Sequence, residues 1–302
     1  MTGSALDWIA LDWGTSNCRA WAMARNGSVL TEARSDKGMG QLTRDEFEPA
    51  LLEMIGPWLD TAPVDVLACG MLGARQGWVE APYRTVPCTP VGGDAALAKT
   101  IDPRLRVRVI SGLKQVNPAD VMRGEETQIA GWLAQNPSFD GVLCLPGTHA
   151  KWVQISASEV VSFRTFLTGE LFAAIKNHTV LRHSIGSGWD EAAFEDALTD
   201  AISRPEAIAQ RLFSIRAEGL FAGLSPDAAT ARLSGLLIGA ELAAARPYWL
   251  GQNVALIGTG GLGAHYARAL SLQGVTATSA DAEAMTRAGL IAARDALSEE
   301  TT

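Results

Sequence analysis

Apolar and polar residues along the first stretch of the chain follow the short period of strands. "DWIALDWG" (Asp7 to Gly14), "CRAWAMAR" (Cys18 to Arg25) and "GSVLTEARS" (Gly27 to Ser35) read as three strands joined by tight turns, the second turn at Asn26-Gly27, a strong hairpin signal. The chain therefore opens as a β-meander. From Arg44 to Leu59 apolar residues recur at helical spacing. Pro63 then breaks the pattern, and "VDVLACGM" follows as a buried strand running into a glycine turn. Strand, helix, strand predicts parallel pairing. The segment from Gly70 to Gly93, "GMLGARQGWVEAPYRTVPCTPVGG", follows neither period and is rich in Gly, Pro and aromatics. Irregular stretches of that length inside a compact domain commonly carry function.

After the strand "VRVISG", the run "NPADVMRGEETQIAGWLAQNP" predicts a helix that starts near Gly124 and stops at Pro137. The strand "GVLCLPGTHAKWVQISASEVVSF" then repeats the opening. "IALDWGTSNCRAWAMARNGSVL" and "VLCLPGTHAKWVQISASEVV" share a strand, a Gly-Thr turn, a basic residue (Arg19, Lys151), a Trp (Trp21, Trp152) and a further hairpin. Internal repeats mark duplicated architecture. From Glu170 onward the pattern is mostly helical until "QNVALIGTGGLGAHYARAL" gives strand, glycine loop and helix. A strand "VTATS" and a helix over 281–297 end the sequence.

The reading is an α/β protein of two related lobes facing each other across a cleft, with an N-terminal lobe over 1–124 and a C-terminal lobe over 125–302. A length of 302 residues suits two lobes, since single cores stop growing at roughly 250–300 residues. Small residues Ala284, Ala288, Gly289 and Ala292 on the last helix would permit close helix contact at a hinge.

Charge and composition narrow the partners. The formal net charge of -8 disfavours a nucleic-acid backbone. No apolar run approaches the roughly 20 residues that span a bilayer, and the N-terminal stretch lacks the basic start of a secretory signal. The sequence reads as a cytoplasmic protein with no membrane partner, and it is compatible with a homo-oligomer. Cys18, Cys69, Cys88 and Cys144 form no CxxC pair and the four histidines no ligand spacing, so free thiols are expected and a structural zinc is not.

Three glycine turns hold the candidate chemistry. A strand ending in Gly-Thr offers backbone N–H groups and hydroxyls to phosphate oxygens, and a nearby Asp can hold the accompanying magnesium. Asp12, Gly14, Thr15, Ser16 and Asn17 supply that set, and "LPGTHAK" supplies a second turn through Gly147 and Thr148. Leu145 stands where Asp12 stands in the first copy, so the second turn brings neither metal ligand nor base. The third turn, "GTGGLG" at Gly258 to Gly263, matches a dinucleotide fingerprint with Asp281 downstream. Only a single helix follows Asp281, whereas a dinucleotide fold needs further βαβ units. Gly258, Gly260 and Gly261 suit the close approach of a mononucleotide instead.

In order along the chain, "LDWGTSNCRAW", "GMLGARQGWVEAPY", "VMRGEETQ", "LPGTHAKWV", "FRTFLTGEL" and "LSGLLIGAE" resemble the 2-dehydro-3-deoxygalactonokinases, of the actin, Hsp70 and sugar-kinase (ribonuclease H-like) superfold. The resemblance runs from Ile9 to about Ala293. It implies transfer of the ATP γ-phosphate to the 6-hydroxyl of 2-dehydro-3-deoxy-D-galactonate, with ATP and magnesium as cofactors and the sugar acid as the small-molecule partner. Asp12 would then be the magnesium ligand. The six turn residues Gly14, Thr15, Ser16, Asn17, Gly147 and Thr148 would contact phosphate, and the helix around Gly235 to Glu241 would flank the adenosine. Related kinases take their base from the segment that here reads "MRGEETQ", so Glu125 and Glu126 are both candidates, each also a natural helix-start residue. The substrate carboxylate wants a cation. Arg75, Arg123, Lys151 and Arg164 flank the loops, with Trp78, Tyr83, His149, Thr168, Gly169 and Glu170 placed along the same substrate site.

Overall fold

The computed structural model describes residues 5–299 and divides into two compact units: residues 5–139, 156–162 and 281–299, and residues 140–155 and 163–280. In the first, strands β1 (Trp8–Trp13), β2 (Cys18–Met23) and β3 (Val29–Ser35) form the expected meander. Helix α1 (Phe47–Ile55) leads into β4 (Val64–Gly70), which pairs parallel with β1. The helical pattern from Arg44 to Leu59 splits into a 3-10 turn at Arg44–Glu46, α1, and a second 3-10 turn at Gly56–Trp58. A reciprocal Thr43–Glu46 capping box sets its start and Pro57 marks its end. Three short strands follow, β5 (Tyr83–Thr85), β6 (Ala95–Leu97) and β7 (Leu105–Ile110), then β8 (Gly112–Gln115), β9 (Asp120–Met122) and helix α2 (Glu125–Gln135). The main sheet runs β3-β2-β1-β4-β7-β6, and β5-β8-β9 form a small sheet.

The two-residue period of a strand sorts side chains onto opposite faces. Ile9, Leu11 and Trp13 pack with Phe47, Leu51 and Ile55 of α1. Trp8 and Ala10 face the other way, among Trp21, Leu67, Cys69 and, from the last helix Ala282–Glu299, Leu290 and Ala293. Asp12 continues that second face.

The second unit repeats the plan. Strands β10 (Gly141–Leu145), β11 (Ala150–Ser156), β12 (Glu159–Phe166, of which 159–162 count with the first unit), β13 (Val254–Ile257) and β14 (Thr278–Ala280) lie in the order β12-β11-β10-β13-β14. β10 pairs antiparallel with β11 and parallel with β13, as β1 does with β2 and β4. Helices α3 (Thr168–His178), α4 (Glu191–Ser203), α5 (Ile208–Phe221), α6 (Pro226–Ala244), α7 (Arg246–Trp249) and α8 (Gly261–Leu272) complete it. Val142, Cys144, Trp152, Ile238, Leu242, Leu256 and Tyr266 form its core.

Two expectations shift. The strand read at 275–279 forms at Thr278–Ala280, because Gly274, at φ +77°, ends α8 and the Val275 N–H is taken by the Leu270 carbonyl. The lobe boundary placed at 124/125 puts α2 and the last helix α9 (Ala282–Glu299) in the second lobe, whereas both belong to the first compact unit. Gly131 of α2 lies against the Met285 backbone and Gly289 of α9 against the Thr127 backbone, with no room for a side chain at either glycine. Glycine at those crossings lets the two backbones meet, and Ala130, Trp132, Leu290 and Ala293 are buried around them.

Candidate active site in two half-sites

Within the first unit, the turn after β1 is tightly built. The Gly14 N–H donates to the Asn17 carbonyl at 2.9 Å, and the Met39 and Gly40 N–H groups donate to the Gly14 and Thr15 carbonyls at 2.9 and 3.0 Å. Gly38 sits so close to Thr15 and Ser16 that a methyl group there would collide with their backbone. The brace holds Thr15, Ser16 and Asn17 exposed at the tip.

Asp12, at the root of this turn, is paired with Arg19, its antiparallel register partner, at 3.1 Å. Arg19 also reaches Glu283 of α9 at 3.0 Å, and Glu283 takes Arg34 at 2.8 Å. Burial pushes the Asp12 carboxyl up from the ordinary carboxylate range, against the pull of Arg19. The Cys69 thiol donates to Asp12 at 3.8 Å and also feels the charge of Glu126, so one buried thiol lies beside both carboxylates. Gly70 follows at φ +96°, where a side chain would meet the Trp13 carbonyl at 2.6 Å.

Glu126 and Glu125 open α2. Glu126 is fully buried and accepts the Gly124 N–H on both carboxylate oxygens at 2.8 and 2.7 Å. Burial, reinforced by the neighbouring charge of Glu125, pushes its pKa up to about 7, against backbone hydrogen bonds and Arg123. Glu125 is half-buried and accepts the Arg123 N–H at 3.1 Å.

The cations of this unit differ. Arg123 is buried, lies 4.3 Å over the Tyr83 ring and donates to the Ala81 carbonyl at 2.7 Å, tying the irregular loop to the start of α2. Arg75 is exposed, and its carbonyl accepts from Arg44 at 3.0 Å. Trp78, expected beside the substrate, belongs to the core: it stacks on Phe47 at 6.0 Å and meets Trp13 edge-on at 6.4 Å. The indole packs against both aromatic neighbours, which gives it a place in the core.

A magnesium that arrives on a nucleotide takes one or two carboxylates and fills its octahedron with waters and phosphate oxygens. Among the described residues no cage of three or more His, Cys, Asp or Glu exists. Asp12, a single carboxylate at the root of an exposed hydroxyl-bearing turn and paired with Arg19, fits the shared kind of site.

The second unit holds the other turn and a cavity of about 400 Å³ lined by Gly147, Thr148, Thr168, Gly169, Trp189 and Gly261, among others. Leu145 stands opposite Lys151 in the sheet register, as Asp12 stands opposite Arg19. Leu145 and Lys151 are both buried, and the Lys151 ammonium lies 3.4 Å from the His149 carbonyl. Gly169 packs directly on the Gly147 carbonyl, and the Glu170 N–H donates to the Thr148 carbonyl at 2.9 Å. His149 and Glu170, both exposed, bond to each other at 2.5 Å. Thr168 is a cavity wall whose hydroxyl donates to Glu241. Arg164 is half-buried and donates to the Phe163 carbonyl at 3.1 Å.

The far wall of the cavity is flat. Trp189 and His265 stack at 3.8 Å between ring centroids, 20° from parallel, and burial holds the His265 imidazole below its usual pKa. Gly258, Gly260 and Gly261, at φ +143°, +70° and +43°, form the loop that opens α8, with Ser234, Leu237 and Ile238 of α6 alongside the cavity. The helix expected to flank an adenosine does line this space. Trp189 and His265 escaped the sequence reading because they lie 76 positions apart with no local spacing signal (265 − 189). Gly38 and Gly70 carried the better signal, each a glycine beside a strand end.

A family profile described as 2-keto-3-deoxy-galactonokinase matches residues 12–293. A relative from Rhizobium meliloti (strain 1021), named "Probable 2-dehydro-3-deoxygalactonokinase DgoK1", is 40% identical over 96% of this chain and 97% of its own. The 2-dehydro-3-deoxygalactonokinase of Escherichia coli (strain K12) is 33% identical over 94% of this chain and 96% of its own. A crystal structure described as "a putative 2-dehydro-3-deoxygalactonokinase protein from Sinorhizobium meliloti" superimposes with a TM-score of 0.90 at 39% identity, covering 96% of this chain and 99% of that one. Component A of (R)-2-hydroxyglutaryl-CoA dehydratase from Acidaminococcus fermentans, at 10% identity, a TM-score of 0.50 and coverage of 98% and 99%, shares the fold alone. The chain shares the mixed α/β fold of the Sinorhizobium meliloti structure and belongs to the 2-keto-3-deoxy-galactonokinase family.

Proposed function

We propose that this protein transfers the γ-phosphoryl group of ATP to the 6-hydroxyl of 2-dehydro-3-deoxy-D-galactonate, giving the 6-phosphate and ADP, in the breakdown of D-galactonate. The observation that carries the mechanism is the placement of Glu126, a carboxylate whose pKa lies near neutrality, beside the same thiol that contacts Asp12. A general base works best with a pKa near the working pH.

Phosphoryl transfer asks the protein mainly to position groups and stabilise charge. Glu126 takes the proton of the 6-hydroxyl as that oxygen bonds to the γ-phosphorus, and the bond from γ-phosphorus to the bridging oxygen breaks to leave ADP. Glu125 keeps Glu126 basic through its charge. Thr15, Ser16 and Asn17 donate to phosphate oxygens from the first turn, Gly147 and Thr148 from the second. Trp189 and His265 receive the flat base, and the glycine loop from Gly258 to Gly261 admits the ribose. Asp12 would hold the magnesium that accompanies the nucleotide, which when bound would neutralise charge at the phosphates. Arg75, exposed and without an ion-pair partner among the described residues, takes the substrate carboxylate, while Arg123 holds the loop that presents it.

A substrate screen with ATP tests this reading. ADP release is expected to depend on the keto acid, with the galacto epimer preferred over the gluco epimer and neutral hexoses inert. ADP release that ignores the keto acid would overturn it, and turnover of neutral hexoses would assign a different sugar kinase.

A further inference from the structure

Glu241, near the end of α6, is a buried carboxylate that the transfer of phosphate does not use. It accepts hydrogen bonds from three side chains: the Trp152 indole at 2.8 Å, the Tyr266 hydroxyl at 2.6 Å, and the Thr168 hydroxyl. Each donor comes from a different element, and of the three only Thr168 itself lines the cavity, while α8 reaches it through Gly261, Leu262 and His265. Trp152 lies on β11, the strand that leaves the second Gly-Thr turn. Thr168 begins α3 and lines the cavity, and its neighbours Gly169 and Glu170 hold the backbone of Gly147 and Thr148. Tyr266 sits on α8, the helix opened by the glycine loop.

A buried carboxylate is costly unless its oxygens are satisfied, and one so satisfied fixes the groups that satisfy it. Apolar side chains could fill this core without a charge. A carboxylate adds direction: its three hydrogen bonds tie α3, β11 and α8 to one point on α6.

We propose that Glu241 is a positioning residue for the nucleotide: it holds the second phosphate turn, the start of α3 and the glycine-loop helix in one mutual arrangement, so that phosphate and base contacts form together. The inference rests on the ATP reading above.

Its test is direct binding of a non-hydrolysable ATP analogue to the full-length chain by calorimetry, combined with steady-state kinetics and thermal unfolding. For Glu241→Gln the dissociation constant and KM for ATP are expected to rise about tenfold or more, the KM for the keto acid to stay within about twofold. Should that variant fail to fold, Thr168→Val is expected to weaken nucleotide binding while Thr168→Ser, which keeps the hydroxyl donor, restores it. Unchanged nucleotide affinity in both Glu241→Gln and Thr168→Val, with wild-type binding intact, overturns the role of Glu241 alone. A parallel loss for both substrates in step with a lowered melting temperature also overturns it, in favour of plain structural support. Wild-type protein that binds no nucleotide overturns the functional reading and this inference together.

Discussion

The two Gly-Thr turns share a strand order, a register and a cation at the same place, yet they differ in what stands before the glycine. Asp12 faces Arg19 in the first; Leu145 faces Lys151 in the second. The pairing rule of the sheet fixes the neighbours in both cases, so a single side chain decides which copy carries a carboxylate opposite its cation. The surroundings follow that division. The first turn gathers Asp12, Cys69 and Glu126, whereas the second backs onto an apolar, flat-walled cavity braced by Glu241. The two frames are alike, and their side chains differ: buried carboxylates in the first, an apolar cavity beside the second.

The most severe way to break the comparison is Asp12→Asn, expected to lower kcat about 10³-fold through several kcal/mol of lost charge stabilisation, read by coupled ADP assay. Adding Leu145→Asp to that variant is expected to restore nothing and to lower the melting temperature, because the new carboxylate enters a site only 3% exposed. Glu126→Gln should cost about 10²–10⁴-fold in kcat with little change in either KM.

The pH profile sharpens the assignment. Burial and Glu125 raise the Glu126 pKa to about 7, and the base acts when ionised, so kcat/KM is expected to rise through about pH 7 and to be lost below it. Glu125→Gln removes the repelling charge, and the acid limb then moves to lower pH. An unmoved limb would take the base away from Glu126. A smaller effect is expected for Arg75→Ala, which should raise the KM for the keto acid about 10- to 100-fold and leave that for ATP nearly unchanged. The smallest expected effect lies at the braces: Gly38→Ala and Gly169→Ala should both lower kcat/KM for ATP, since each crowds the backbone of one phosphate turn.

Much of this was legible in the sequence for reasons that are local. Strand period, the Asn26-Gly27 turn and the repeated Gly-Thr motif depend on neighbouring residues, and the opening meander and its copy are where the pattern placed them. What escaped depends on contacts across long separations. Trp78 looks like a loop aromatic until Trp13 and Phe47 close around it. The packing of α9 on α2 rests on Gly131 and Gly289, whose meaning appears only when the two backbones touch. Glu241 gives no sequence signal beyond an acid in an apolar helix, because its three donors come from three separate elements.

The most direct test of the central claim is the phosphorus and carbon NMR spectrum of the reaction of wild-type protein and Asp12→Asn with ATP and 2-dehydro-3-deoxy-D-galactonate. The account predicts one new phosphate ester at C6 in equal amount to the ADP formed by the wild type, and none from the variant on the same timescale. A phosphate at another carbon, ADP without ester, or a variant that matches the wild-type rate would contradict it.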